Sequence, residues 1–338
     1  PGKTGGSQTT ATADANDGKE GNSGGEKAQR KEVSSLKPRL VVSYDGGLLT
    51  LDGATGKVLA DVKKGGFLRL NPAGDGRHVV VSDGDVFRLF DVGLIAQRHE
   101  DHYHYYDASP RLTSAQIKAP KAGHVVNHAG RTSLFSDGDG TVQTFAADAL
   151  KDGKLDPSEI KAFKGRDAHH GVAVPLSNGN MLTTKGTEKE RHTIQEVDPS
   201  GKVVAETTDC PGVHGEAAAQ SNANGDVVSF GCTNGPVVYR DGAFHKVPVP
   251  EAYQRSGNQF GSPASPYVLA DYKTVKPAEG AEGVTERPTS AGVIDTANGT
   301  VKKVDLGSPY WFRSFARGPN GEGLVLTYDA ARLTLADG

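Results

Sequence analysis

Cysteine, methionine and tryptophan are scarce in this chain of 338 residues, which contains two, one and one of them respectively. No window approaches the roughly 18 consecutive apolar residues of a membrane helix, so the sequence predicts no transmembrane helix. Charge of one sign is not in excess either, because 38 Lys and Arg residues stand against 41 Asp and Glu. The net charge of −3 offers no basic surface for nucleic acid.

No G-x-S-x-G elbow, P-loop or Cys/His nucleophile pair occurs, so we predict a protein that is not an enzyme.

The first 35 residues lack Phe, Tyr and Trp, are rich in Gly, Ser and Thr, and carry five basic and five acidic residues. This composition predicts a disordered Gly/Ser-rich linker over residues 1–35, followed by one folded domain over residues 36–338. No apolar signal core precedes the linker. The chain is therefore either cytosolic or an exported protein whose targeting segment has been removed. Because a flexible leader before a compact domain fits the second option, we expect a protein that is periplasmic or at the cell surface.

The two cysteines, Cys210 and Cys232, are 22 residues apart, and each lies beside a Gly or Pro turn signal. An even count of this kind favours a single disulfide in an oxidising compartment. Two buried thiols are the alternative. A thiolate zinc site is disfavoured, because neither cysteine belongs to a C-x-x-C pair.

Glycine, in contrast, is abundant, with 44 residues, and the glycines alternate with short β-branched runs from residue 39 onward. Hairpins are predicted at residues 40–51, 77–90, 131–145, 226–239 and 323–335. Another short strand, here called the leading strand, is predicted upstream of most of these hairpins. The leading strands are at residues 67–70, 124–127, 171–174, 214–218 and 311–315. Four-stranded units that repeat about every 40–50 residues are typical of a β-propeller. We therefore predict an all-β fold of about seven four-stranded blades around a central channel. A pair of Greek-key sandwiches is the alternative, disfavoured because the repeat continues along the whole chain.

Histidine is unevenly placed, and seven of the eleven histidines lie in four short clusters. His124, His170 and His214 each stand at the start of a predicted leading strand. Because the innermost strands of a propeller converge on the channel, equivalent positions on consecutive blades come close together there. Neutral imidazoles are preferred ligands of divalent transition metals, so these three residues predict a metal site at the mouth of the channel.

The remaining clustered histidines are predicted to act around this site. His102 and His104 are two residues apart in an extended segment and project to the same side, so we expect them to supply a fourth ligand from a loop above the channel. His128 lies at the opposite end of a short strand from His124, and His169 is placed to orient a neighbouring ligand. The other four histidines are interpreted as surface or structural residues; they are His78, His99, His192 and His245.

Five stretches of the chain resemble the family of zinc metallochaperones called AztD. They are His-Tyr-His-Tyr-Tyr at 102–106 with Pro-Arg-Leu at 110–112, Gly-His-Val-Val-Asn-His-Ala-Gly-Arg-Thr at 123–132, His-His-Gly-Val-Ala-Val-Pro-Leu at 169–176, Pro-Gly-Val-His-Gly-Glu-Ala at 211–217, and Phe-Gly-Cys at 230–232. The resemblance implies an extracytoplasmic β-propeller that binds Zn²⁺ and hands it to the solute-binding protein of a zinc ABC importer. It also implies a disulfide between Cys210 and Cys232.

The resemblance supports as zinc ligands His102, His104, His124, His170 and His214, with His128 and His169 in a secondary role. Family members carry a His-rich flexible N-terminus, whereas residues 1–35 contain no histidine. We therefore expect this segment to be a linker from a lipid anchor rather than a tail that gathers zinc.

The predicted function is that of a zinc carrier, which passes the ion to a transporter's binding protein by ligand exchange. Two alternatives remain open. The first is a zinc-dependent propeller hydrolase with Glu216 or Asp167 as general base. The second is a metal-free propeller that binds protein partners. The Asp-Gly-Asp-Gly sequence at residues 137–140 lacks the spacing of an EF-hand and is interpreted as a hairpin turn.

Overall fold

A computed structural model describes residues 29–281, 283–329 and 332–335. These residues form antiparallel β-sheets, and their helical content is limited to two single-turn 3₁₀ helices, Ala147–Ala149 and Pro157–Glu159. Tight turns join many consecutive strands, and glycines with positive φ occupy many of those turns. Glycine has no Cβ and adopts positive φ without steric cost, which explains why its abundance in the sequence accompanies a chain of hairpins.

Seven sheets follow one another in chain order and form the blades of the propeller. Blade 1 contains β2 (Arg39–Tyr44), β3 (Gly47–Asp52) and β4 (Val58–Lys63). Blade 2 contains β5 (Leu68–Pro72), β6 (His78–Asp83), β7 (Val86–Asp91) and β10 (Arg111–Lys118). Blade 3 contains β11 (Ala122–His128), β12 (Arg131–Ser136), β13 (Val142–Ala146) and β14 (Lys161–Phe163). Blade 4 contains β15 (Ala173–Pro175), β16 (Met181–Gly186), β17 (Arg191–Val197) and β18 (Val203–Thr207).

The remaining blades follow the same strand order. Blade 5 contains β19 (Glu216–Ala218), β20 (Val228–Phe230), β21 (Val237–Arg240) and β22 (Ala243–Lys246). Blade 6 contains β23 (Gln259–Ser262), β24 (Ser265–Asp271), β25 (Ser290–Asp295) and β26 (Thr300–Asp305). Blade 7 contains β27 (Tyr310–Arg317), β28 (Gly323–Thr327) and β29 (Arg332–Leu335). The first strands of neighbouring blades pack together, as β11 does with β15 and β19 with β23. The predicted all-β propeller is confirmed.

An eighth, accessory sheet interrupts blade 2. The hairpin of β8 (Leu94–His99) and β9 (His102–Ala108) is inserted between β7 and β10. Its outer partner is β1 (Arg30–Val33), which pairs antiparallel with β9. The linker predicted over residues 1–35 therefore overlaps β1 at its end. This strand pairs with β9, which lies about 70 residues later in the chain. Residues 1–28 of that predicted linker lie outside the described residues.

Apolar side chains pack between neighbouring blades. Val172 and Leu182 of blade 4 form one buried cluster with Val228 and Phe230 of blade 5. Full burial of each such side chain contributes about 1.5–3 kcal/mol. Cys210 and Cys232 lie in the same cluster and are joined in a disulfide, which confirms that prediction. Within the described residues, no helix is long and apolar enough to cross a membrane.

Candidate metal centre

Three consecutive blades bring one histidine each to a common point. His124 lies within β11, His170 lies in the turn before β15, and His214 lies in the turn before β19. The Nε2 atoms of His124 and His170 are 3.1 Å apart, and one nitrogen from each of the three residues lies within 4.8 Å of the others. Ligand nitrogens on a tetrahedral zinc ion, with Zn–N bonds of about 2.0–2.1 Å, are spaced by about 3.3 Å. The spacing of this group, here called the channel triad, therefore fits a zinc ion.

The outer nitrogens of two triad members have acceptors that orient the rings. His170 Nδ1 lies 2.6 Å from a carboxylate oxygen of Asp137, and His214 Nδ1 donates to the Gly257 carbonyl at 2.9 Å. His124 Nδ1 lies 3.8 Å from Glu216 Oε2. An Nδ1 that holds the ring proton leaves Nε2 with a free lone pair, which is the form that binds metal.

Burial keeps two members of the triad, His124 and His214, in their neutral form. The pKa of His124 is lowered well below 6.5, first by burial and then by the neighbouring His170 and His214. Burial also lowers the pKa of His214 to about 3. Because metal and proton compete for the same lone pair, these imidazoles are available as ligands at neutral pH and below it.

Glycines allow the close packing that holds the triad. Gly215 has a φ of +82°, and a Cβ at this position would collide with the Gly257 carbonyl, the acceptor for His214. A Cβ at Gly123 would collide with the Asp137 carboxylate, the partner of His170. Side chains at either position would therefore displace the groups that orient the ligands.

His128 and His169, predicted in a secondary role, are not brought into the triad. His169 is fully buried, and its two ring nitrogens contact the Asp167 carbonyl and the Thr184 hydroxyl, each at 2.8 Å. His128 donates Nδ1–H to the Pro175 carbonyl at 2.7 Å. Both residues fix the blade structure around the triad.

His102 and His104 belong to a second group, so the structure does not bring them to the channel triad as a fourth ligand. Their Nε2 atoms are 3.1 Å apart on β9, and His99 at the end of β8 completes a group whose ligand nitrogens lie within 4.8 Å of one another. Glu32 of β1 contacts His104 Nδ1 at 2.8 Å. This group, here called the hairpin triad, is largely exposed.

Sequence reasoning missed Asp137, Gly257 and His99. For His99 a local signal exists, since it pairs directly with His102 across the tight turn between β8 and β9. A histidine three residues before a His-x-His sequence therefore predicts a group of three histidines across a hairpin turn. Asp137 and Gly257 come from neighbouring blades, and only blade packing brings them to the imidazoles.

No family profile matches the chain. A curated relative from Citrobacter koseri, named zinc chaperone AztD, is 26% identical over 190 residues, which make up 55% of this chain and 43% of that protein. The match therefore spans less than half of the relative's length. The crystal structure of Citrobacter koseri AztD superposes with a TM-score of 0.67 at 19% identity, over 87% of this chain and 79% of that chain.

The structure of apo AztD from the same organism gives a TM-score of 0.57 at 18% identity, over 87% of this chain and 92% of that chain. A chain of the mitotic checkpoint complex also has a TM-score of 0.57, at only 12% identity, so the fold alone is shared more widely. The resemblance that the motifs indicated is confirmed by the sequence match. This chain is similar in sequence to the zinc chaperone AztD over part of its length and shares its β-propeller fold.

Proposed function

We propose that this protein is an extracytoplasmic zinc chaperone that binds Zn²⁺ at the channel triad and passes it to the solute-binding protein of a zinc ABC importer. One observation carries the proposal: three imidazoles from consecutive blades converge so that one nitrogen of each lies within 4.8 Å of the others, with the Nε2 atoms of His124 and His170 3.1 Å apart. The name of the homologous protein, zinc chaperone AztD, supports zinc as the cargo. The solute-binding protein as recipient rests on the resemblance of the sequence motifs.

The arrangement suits transfer by ligand exchange. Zinc takes four ligands, and the triad supplies three. His124 and His214 line an adjoining cavity, which gives a fourth ligand a route to the ion. A ligand from the recipient enters there before any imidazole leaves, and the ion passes between proteins without release to bulk water. A closed site of four cysteines would not leave such an entry point.

The hairpin triad of His99, His102 and His104 is proposed as a second zinc site, for capture. Its exposure allows a hydrated ion to reach it directly, in contrast to the half-buried channel triad. The carboxylates of Asp101 and Glu32 contact the outer nitrogens of His102 and His104, at 3.2 and 2.8 Å. As in other metal sites, such contacts favour the metal-binding tautomer.

The disulfide supports placement outside the cytosol, where an oxidising environment maintains such bonds. We propose the periplasm or the cell surface, with residues 1–35 as a linker from a lipid anchor. The hydrolase alternative is not favoured by the site. Burial raises the pKa of Glu216 to about 8, so this residue keeps its proton at neutral pH and is a poor general base.

The test is a titration of the metal-stripped protein with Zn²⁺ against a competing chelator. Near-stoichiometric, tight binding that is lost when His124 and His214 are both replaced by Ala would support the proposal. His192→Ala is the matched control, since His192 lies outside both triads. The loaded protein is then mixed with the solute-binding protein. Transfer no faster than spontaneous dissociation would refute the chaperone function even if zinc binds.

A further inference from the structure

His214 is held by contacts with other segments rather than by a strand of its own. Among the three imidazoles of the channel triad, only that of His124 lies within a strand. The stretch of residues 208–215, here called the His214 segment, lies between β18 and β19 and contains neither helix nor strand. The His214 ring donates to a backbone carbonyl, that of Gly257, whereas the His170 ring contacts a carboxylate. The place of the His214 imidazole therefore depends on what fixes this segment.

Backbone hydrogen bonds tie the His214 segment to the stretch that follows β20 in blade 5. The His214 N–H donates to the Gly231 carbonyl at 3.0 Å, and the Gly231 N–H donates to the Gly215 carbonyl at 3.1 Å. The Thr233 N–H donates to the Pro211 carbonyl at 2.8 Å. Each of these bonds contributes little by itself and opens in local fluctuations. Such bonds alone would let the segment move relative to blade 5.

The disulfide joins the same two stretches. Cys210 directly precedes Pro211, and Cys232 lies between Gly231 and Thr233, so the covalent bond lies among these backbone bonds. Neither cysteine is exposed, and both lie in the apolar cluster between blades 4 and 5. A covalent bond persists when hydrogen bonds open, so it keeps the two stretches in register.

Gly231 connects this tie with the acceptor that orients the His214 ring. A Cβ on Gly231 would collide with the carbonyl oxygens of both His214 and Ser256. Ser256 precedes Gly257, whose carbonyl accepts from His214 Nδ1 at 2.9 Å. The backbone beside Cys232 is thus packed between the backbone of the ligand and the residues that orient its ring. A shift of Cys232 would disturb both.

Arg191 of β17 holds the other side of the His214 segment, toward blade 4. Its carbonyl accepts from the Gly212 N–H at 2.9 Å, and its Nε donates to the Val213 carbonyl at 2.8 Å. The segment is therefore anchored to both blades. The disulfide is its one covalent anchor, since the chain has two cysteines.

We propose that the Cys210–Cys232 disulfide is a positioning element of the channel triad, which holds His214 and its Gly257 acceptor in the arrangement that binds zinc. The inference rests on the proposed zinc site. Loss of a partner that orients a metal-binding histidine typically weakens metal affinity about 10–100-fold. We expect a loss of that size when the disulfide is absent, together with an altered geometry at the metal.

The zinc affinity is then linked to the redox state of the two cysteines. Disulfide formation removes two electrons and two protons from the thiols of Cys210 and Cys232. A second disulfide, of a small molecule or of an oxidoreductase, accepts them and is reduced to two thiols. The chain therefore binds zinc tightly only after this exchange, which proceeds in an oxidising compartment. By linkage, bound zinc favours the disulfide by the same factor by which the disulfide raises the zinc affinity.

The experiment compares the oxidised full chain with Cys210→Ala/Cys232→Ala, both carrying His102→Ala so that the hairpin triad does not contribute. Chelator competition gives the zinc affinity, the visible bands of bound Co²⁺ report the coordination geometry, and urea unfolding gives the stability. We expect the cysteine variant to fold, to bind zinc about 10–100-fold more weakly, and to give weaker cobalt bands shifted from those of the parent. Should the alanine pair not fold, Cys210→Val/Cys232→Ala, which fills more of the buried space, is measured in its place.

Leu48→Ala is the matched control for lost stability, because Leu48 is fully buried between blades 1 and 2 and has no part in the channel triad. It should unfold at a lower urea concentration yet keep its zinc affinity within about threefold, since distant sites act independently. A folded cysteine variant with the zinc affinity and cobalt spectrum of the parent overturns the inference. So does a loss of equal size in Leu48→Ala, which would mean that any destabilisation weakens the site. Failure of the parent to bind zinc or cobalt, or binding that persists in His124→Ala/His214→Ala, contradicts the proposed zinc site itself.

Discussion

His170 Nδ1 lies 2.6 Å from the carboxylate of Asp137, a residue in the hairpin turn of the preceding blade. The contact joins blade 3 to the ligand of blade 4, so ring orientation and blade packing depend on each other. Asp137 does not line the point where the Nε2 atoms converge. It acts through His170 as a positioning residue.

Asp137→Asn should therefore weaken zinc binding at the channel triad about 10–100-fold without unfolding the protein, as is typical when an outer partner of a metal-binding histidine is changed. The reason is that an amide binds the Nδ1–H less strongly and tolerates the wrong tautomer. A chelator competition titration measures the loss. Asp139→Asn is the matched control, because Asp139 in the same turn accepts from the Thr141 backbone and makes no hydrogen bond or ion pair with a triad imidazole. Equal affinities in both variants would contradict the positioning role.

Zinc binding at the channel triad should depend only weakly on pH in the acidic range. Three imidazoles of ordinary pKa, about 6.5, would together lose about 500-fold in zinc affinity between pH 7.0 and 5.5, as protons displace the ion. The pKa of His124 is lowered well below that value by burial, and that of His214 is lowered to about 3. Both therefore stay unprotonated across the range, and the loss should be at most about tenfold.

The measurement is chelator competition at the two pH values in a His102→Ala background, with the chelator's own protonation taken into account. A loss of several hundred-fold would show that the triad histidines take up protons freely. Thermal melting of the metal-free protein at both pH values is the control, because a folded protein at pH 5.5 is needed for the comparison.

Gly215→Ala should lower both stability and zinc affinity. A positive φ costs a non-glycine residue about 1–2 kcal/mol, and the added Cβ collides with the Gly257 carbonyl that orients His214. The matched control is Gly201→Ala, since Gly201 has a φ of +86° and no atom within 4 Å of the added Cβ. The control should lose stability through strain alone and keep its zinc affinity. Unfolding curves and zinc titrations of the two variants separate these effects, and equal zinc affinity in both would be the contrary result.

The sequence predicted the parts of the fold that are specified locally. Alternating β-branched residues and Gly/Asp turns define hairpins within about 15 residues, and β2 with β3 or β12 with β13 lie where these signals occur. The convergence of His124, His170 and His214 was also predictable, because the blade repeat places them at equivalent positions.

The features that sequence reasoning missed depend on contacts between distant segments. β1 becomes a strand only because β9 offers a free edge, and nothing in its own composition indicates this. Because β8 and β9 are inserted into blade 2 as part of a separate sheet, His102 and His104 are grouped with His99 and not with the channel triad. Their spacing along the chain does not indicate this grouping. The sequence predicts only a turn residue at Asp137, because the His170 ring that contacts its carboxylate belongs to the next blade.

Removing the hairpin triad should change the stoichiometry of zinc binding but not the affinity of the channel triad. His99→Ala leaves two imidazoles, and a pair of exposed ligands binds zinc far more weakly than three. We expect the protein to bind two zinc ions and the variant one, with the remaining affinity within about threefold of the channel site in the parent. Glu32→Gln should keep both sites but weaken the exposed one about 10–100-fold, because Glu32 contacts His104 Nδ1. Since β1 carries Glu32, the same titration shows whether this strand contributes to metal capture. An unchanged stoichiometry in His99→Ala would mean that the hairpin triad is a structural group of the turn, and the capture step would then have to be abandoned.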